Sequence, residues 1–235
     1  MIRAVFLDID DTLLSFRGYV KASMREGFRL FGLPEYTEEM YFVFERENGA
    51  LWRMLERGEL TFAELQNVRW NRVFAALGMQ ADGHAFEEYF RAQLCTSAIP
   101  EDGAMELLQS LAPRCTLCAA SNGPYEQQRS RLRLAGMERY FDHFFISERL
   151  GAQKPGAEFF SRSFQELHSS GLQDLRPEET VMVGDSETSD MAGGVRFGMH
   201  TVLYRPDGSG ERPEGVEHVV GSLRDIPGVI FPDEA

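Results

Sequence analysis

Short apolar runs that break off in polar or glycine-rich turns recur at residues 4–7, 116–120, 144–146, 181–183 and 201–203. Runs of this length without polar alternation read as strands buried on both faces. Between most of them the apolar positions change to helical spacing, as in Ala104, Leu107, Leu108 and Leu111, or Phe159, Phe160, Phe164 and Leu167. Strands alternating with helices predict an α/β fold, a doubly wound parallel sheet with helices on both faces.

Residues 16–94 break this rhythm. They hold no convincing strand and read as consecutive amphipathic helices. Val20, Met24, Phe28 and Phe31 keep helical spacing, Thr61 and Glu64 form a capping box, and Phe86, Phe90 and Leu94 continue the pattern. The predicted organisation is a core of residues 1–15 and 96–235, interrupted by an all-helical domain at 16–95. Residues 206–213, rich in Gly, Pro and charge, read as an exposed loop.

Composition changes the picture in three ways. The chain has 235 residues, 43% hydrophobic and 26% charged, enough for a packed globular core. Its formal charge, 24 − 37 = −13, argues against a nucleic-acid partner, because affinity for a phosphate backbone comes from clustered Lys and Arg. A small anionic substrate then needs a bound cation or a few positioned basic groups. No stretch reaches the ~18 consecutive apolar residues of a membrane span, the first apolar run is too short for a signal sequence, and a cytoplasmic location is expected. Cys95, Cys115 and Cys118 are too few for a disulfide framework. Cys115 and Cys118 form a C-x-x-C, but residues three apart on a strand face opposite ways, so core packing is expected rather than a shared zinc or a redox pair. Oligomeric state leaves no mark in the pattern.

Chemistry concentrates at the strand ends. In Val5-Phe6-Leu7-Asp8-Ile9-Asp10-Asp11-Thr12 an apolar strand runs into closely spaced carboxylates. In an extended segment Asp8 and Asp10 project the same way, at the carboxyl end of the first strand, where open α/β sheets place ligands. Like charges that close raise a pKa or recruit a cation. After the second core strand, Ser121-Asn122-Gly123 offers a hydroxyl and turn amides suited to a phosphoryl oxygen. Lys154-Pro155 delivers a lone ammonium, and Gly184-Asp185 with Asp190 places a second acidic pair after an apolar strand. Taken singly, each has an ordinary reading as a cap, turn or surface residue. Their order is what is specific.

In that order the motifs resemble the haloacid dehalogenase superfamily, in the branch with a helical cap inserted after the first motif, and the likeness covers almost the whole chain. The resemblance implies a Rossmann-like core and a magnesium-dependent phosphohydrolase. In it Asp8 is nucleophile and metal ligand, and Asp10 is general acid/base and lends its main-chain carbonyl to the metal. Thr12 of the same motif binds substrate, Ser121 with Asn122 and Gly123, aided by Lys154, holds the phosphoryl group, Asp185 completes the metal site and Asp190 supports it. The acid at Asp10 separates the chain from the superfamily's dehalogenases and phosphonatases.

Within the superfamily the chain resembles bacterial 5'-nucleotidases that act on pyrimidine nucleoside monophosphates, on the strength of residues 146–155 and of the stretch from Leu51-Trp52 to Gln66. The expected partner is a small phosphorylated metabolite. A phosphosugar or phosphoglycolate-type phosphatase, a phosphomutase, and a binding protein that kept the fold without the activity are the alternatives. Trp52, Trp70, Arg46, Arg53, Arg69 and Arg72 are candidates to read the leaving group, or else core and solvated helix faces.

Overall fold

A computed structural model describes residues 1–232. The chain divides into two compact units, residues 1–15 together with those from 98 on, and residues 16–97.

In the first unit, strands β1 (Ala4–Leu7), β2 (Thr116–Ser121), β3 (His143–Ile146), β4 (Thr180–Gly184), β5 (His200–Tyr204) and β6 (His218–Val220) form one parallel sheet in the order β3-β2-β1-β4-β5-β6. The first five coincide with the apolar runs. β6 escapes the sequence pattern because it is a three-residue edge strand whose first two residues are exposed, so burial imposes no apolar run on it. The order reverses beside β1: β2 and β3 extend to one side, β4 to β6 to the other. That is the switch point at which open sheets leave a crevice beyond their strand ends.

The second unit holds helices α1 (Phe16–Leu30), α2 (Glu38–Glu56), α3 (Phe62–Ala76) and α4 (Gly83–Leu94). The Thr61–Glu64 capping box is formed in both directions and starts α3. An aromatic core of Phe28, Phe44, Trp70, Phe74, Phe86 and Phe90 holds these helices together. Gly27 lets α1 approach α4, since a Cβ there would stand 2.6 Å from the Phe86 ring. Trp70 is fully buried and Arg69 nearly so. The Arg69 guanidinium meets Glu87 through Nε at 3.0 Å and Nη2 at 2.5 Å, and lies 4.8 Å from the centre of the Phe90 ring. Arg46 and Arg72 both bond Glu47. These four are therefore accounted for by core packing and ion pairs within the unit. Trp52 is half-buried beside Phe62, and Arg53 is exposed.

Side chains alternate across the sheet. Val5, Leu7, Leu117 and Ala119 face α5 (Ala104–Leu111), α6 (Tyr125–Leu134) and α10 (Ile226–Ile230). On the opposite face, Ala4, Phe6, Cys118 and Ala120 share a core with α8 (Ala157–Ser169), while α7 (Ser147–Leu150) and α9 (Ala192–Phe197) complete the helices of this unit. Cys118 falls in one core and Cys115 against the other. Burial pushes the Cys115 thiol up to about 12 and that of Cys118 well above its usual range, so neither is a reactive thiolate. None of the helices is long and apolar enough to cross a membrane, among the described residues.

Candidate active site

The carboxyl ends of β1, β2 and β4 bring the predicted residues together. Register pairs Leu7 with Ala119 on one side and Val183 on the other, so Asp8, Ser121 and Asp185 emerge at one edge. The Asp8 amide still donates to Val183 O at 2.9 Å, extending the ladder by one residue. The chain then turns sharply. Leu13 and Leu14 amides return to Ile9 O, and the Asp11 amide donates to Leu14 O at 2.8 Å. Asp11 takes φ 55°, the left-handed region that Asp tolerates better than most residues, and is alone among described non-glycine residues in doing so.

Lys154 is the hub. Its Nζ donates to Asp8 Oδ1 at 2.7 Å, Asp190 Oδ1 at 2.7 Å and Ala120 O at 2.6 Å, which uses all three ammonium protons. Burial opposes the lysine charge, but Asp190 and Asp8 outweigh it and hold the ammonium firmly protonated. Asn122 fixes the lysine's backbone: its Nδ2 donates to Lys154 O and its Oδ1 accepts from the Lys154 amide, each at 2.9 Å. Asn122 is expected from sequence as a phosphoryl ligand. With its side chain so engaged, its main-chain amide and the second Nδ2 proton remain for that purpose.

Asp190 lies within one turn of π-helix, Glu187–Met191, and its Oδ2 accepts from the Ser186 amide at 3.1 Å. Its carboxylate rests on the backbone of Gly184, where a Cβ would stand 2.1 Å from Oδ2. Any side chain at position 184 would displace it.

Oxygens of Asp8, Asp185 and Asp190 lie within 4.8 Å of one another. Burial, then the neighbouring carboxylates, raise Asp185 well above the ordinary carboxylate range. Asp8 is pushed up to about 7, chiefly by burial, with Lys154 pulling the other way and Asp190 and Asp10 adding to the rise. Three carboxylates gathered around one ammonium leave an excess of negative charge in a partly desolvated place. An all-oxygen donor set with uncompensated charge fits a hard divalent cation.

The Asp10 carboxylate stands outside this group. Asp10 is close enough to add to the rise at Asp8, but the two carboxylates engage different partners. Asp10 Oδ2 accepts from Gln128 Nε2 at 2.6 Å, and its Oδ1 accepts from Arg131 Nη1. Any contribution of Asp10 to a metal is then left to its main-chain carbonyl. Gln128 Nε2 also donates to Ser121 Oγ at 2.7 Å, and the Gly123 amide reaches the same oxygen at 3.1 Å. Gln128 and Arg131 are neighbours of the candidate site that the sequence pattern does not reveal. They sit in the polar run Glu126-Gln127-Gln128-Arg129-Ser130-Arg131, which looks like a solvated helix face, and only their spacing with Leu132 marks a buried stripe. Thr12 is fully buried, and its Oγ1 has no hydrogen-bond partner in the structure. A cavity of about 460 Å³ lined by Ile2, Val181, His200, His218 and Phe231 opens at the amino ends of β4 to β6, away from all of these residues.

A family model described as a haloacid dehalogenase-like hydrolase matches residues 2–198. The HAD-hydrolase YfnB of Bacillus subtilis is 32% identical over 212 residues, 90% of this chain and 88% of that one. A crystal structure of YfnB bound to magnesium superposes with a TM-score of 0.87 at 30% identity, covering 97% of this chain and 98% of the other. The pyrimidine 5'-nucleotidase PynA of Streptococcus pneumoniae is 33% identical over 86% of this chain and 83% of its own. The pyrimidine 5'-nucleotidase YjjG of Escherichia coli is 28% identical over 94% and 95%. With a buried lysine tying the carboxylate at the end of β1 to that of Asp190 in the turn of helix after β4, and a match that spans both units, the chain belongs to the haloacid dehalogenase-like hydrolase family.

Proposed function

We propose that the protein is a magnesium-dependent phosphomonoester hydrolase that forms an aspartyl-phosphate on Asp8, with nucleoside 5'-monophosphates, pyrimidine ones first, as its substrates. The observation that carries the reading is Lys154 bonded at once to Asp8 and Asp190 beside Asp185. Asp8, Asp185 and the Asp10 carbonyl, supported by Asp190, would hold the metal. Bound there, magnesium offsets the repulsion between a carboxylate and a phosphate dianion.

The chain's own groups then divide the chemistry. The free oxygen of Asp8 attacks phosphorus as the ester P–O bond breaks, and Asp10 gives its proton to the departing oxygen. Ser121 donates its hydroxyl and Asn122 its turn amide to the phosphoryl oxygens, the Gly123 amide stays on Ser121 Oγ, and the Lys154 ammonium, whose protons go to Asp8, Asp190 and Ala120 O, offsets the phosphoryl charge from beside it. Asp10, now a base, takes a proton from the water that attacks the aspartyl-phosphate, which releases inorganic phosphate and restores Asp8. The likeness to two pyrimidine 5'-nucleotidases across nearly the whole chain supports the substrate class. Compartment follows from the same reading: a small-metabolite phosphatase with a half-buried Cys115 and a buried Cys118, both protonated thiols, suits the cytoplasm.

The test compares kcat/KM for a pyrimidine nucleotide, a purine nucleotide and a hexose phosphate, with magnesium and with EDTA. The pyrimidine nucleotide is expected to lead by about ten- to hundredfold, the range that one base-stacking contact supplies. A hexose phosphate that equals both nucleotides rejects the nucleotidase reading and keeps the phosphatase. Full activity in EDTA rejects the metal.

A further inference from the structure

We infer that Arg131 and Gln128 on α6 are positioning residues for the reaction, holding the Asp10 carboxylate and turning the Ser121 hydroxyl toward the phosphoryl group. The inference rests on the proposed phosphatase chemistry and adds two residues to it.

The inward stripe of α6 is Gln128, Arg131 and Leu132, with Gln128 fully buried and Arg131 only 1% exposed. Two polar groups there are costly for folding. Arg131 Nε is buried without an acceptor, a loss that an apolar residue at this position would avoid. What the arrangement achieves instead is an ordered chain of donors. A guanidinium can only donate, so Arg131 Nη1, 2.9 Å from Gln128 Oε1, fixes which way the glutamine amide points. Its Nε2 then faces Asp10 Oδ2 and Ser121 Oγ at once. Both oxygens of Asp10 are thereby held, Oδ1 by Arg131 and Oδ2 by Gln128. Ser121 Oγ accepts from Gln128 Nε2 and from the Gly123 amide, which fills both its lone pairs and leaves its own proton to be donated. One buried arginine therefore orients both the group that moves protons and a group that binds phosphate.

The experiment exploits leaving groups. p-Nitrophenyl phosphate expels nitrophenolate with little need of a proton, whereas an alkyl ester such as a nucleoside 5'-monophosphate needs one from Asp10. The ratio kcat/KM reports steps up to the aspartyl-phosphate, where that proton is used. Arg131→Met is expected to lose at least tenfold more kcat/KM on the alkyl ester than on the aryl ester, and Arg131→Lys to recover part of the difference. A residue needed only for folding would lower both equally, and that result overturns the inference. Gln128→Met is expected to raise the inhibition constant of inorganic phosphate severalfold, and a wild-type value overturns the Ser121 half. If Arg131→Met fails to fold in thermal melts, Arg131→Lys, which keeps the buried charge, carries the same two-ester comparison. Wild-type protein that cleaves neither ester with magnesium sinks the phosphatase reading, while equal losses in an otherwise active enzyme sink only the positioning role.

Discussion

Lys154 Nζ lies 2.7 Å from Asp8 Oδ1, so the candidate nucleophile is ion-paired to the lysine. Its other carboxylate partner, Asp190, is buried as deeply as the lysine itself. Replacing Lys154 with Met leaves buried carboxylates unpaired, a change that typically costs about 3–5 kcal/mol. The urea midpoint of Lys154→Met is expected to fall accordingly at pH 8, with less of a deficit at pH 5, where protons can neutralise the acids.

Asp8→Asn should abolish turnover and yet not weaken the metal-free fold. It removes the nucleophile but keeps an oxygen for Lys154, and it relieves one member of a crowded acidic group. Activity assays and melts in EDTA check both halves together. Turnover above about 1% of wild type, without deamidation, would falsify the nucleophile assignment. Beryllium fluoride with magnesium, a mimic of the aspartyl-phosphate, is expected to raise the melting temperature of wild type and not of Asp8→Asn.

Magnesium binding should weaken as pH falls through 7. Asp8 has a folded pKa raised from 3.8 to about 7, so between those values the folded protein binds more protons than the unfolded chain. Without metal, this group therefore adds stability as pH drops from about 7 toward 4, and withholds it above 7. Bound metal needs the carboxylate ionised, so protons compete with it. At magnesium a hundredfold above Kd, stabilisation is about 2.7 kcal/mol. Thermal shifts in a magnesium titration at pH 8.0 and 5.5 are expected to show tighter binding at the higher pH. Equal affinities at both would place the metal elsewhere.

Asp185→Asn is expected to raise the magnesium concentration for half-maximal activity by tenfold or more, an effect of the size seen when even outer-shell support is lost. A magnesium titration matching wild type would remove Asp185 from the ligands.

In the helical unit, Arg69→Met should destabilise by about 3–5 kcal/mol because it strands Glu87, whose carboxyl burial already drives upward against the pull of Arg69. Arg69→Met combined with Glu87→Leu should recover much of that loss. Chemical denaturation of the single and double variants measures the recovery, and its absence would mean that packing, not the ion pair, is what Arg69 supplies.

Sequence legibility followed burial. A strand covered on both faces must be apolar, so its end is conspicuous, and Asp8, Ser121 and Asp185 could be read as sites because each stops such a run. Lys154 was legible only through its place in the order of motifs, since nothing local distinguishes it from a surface lysine. Gln128 and Arg131 were not legible, because a polar stripe that faces inward looks like one that faces water until the partners are known. β6 was missed for the converse reason: an exposed edge leaves composition unconstrained.

Asn122 clasps the main chain of Lys154 across 32 residues of sequence. The turn after β2 and the segment bearing the lysine are thus one frame, and a phosphate entering it need not freeze two independent loops. Ordering entropy that binding would otherwise have to overcome has already been met during folding, which leaves more of the interaction energy for the transition state.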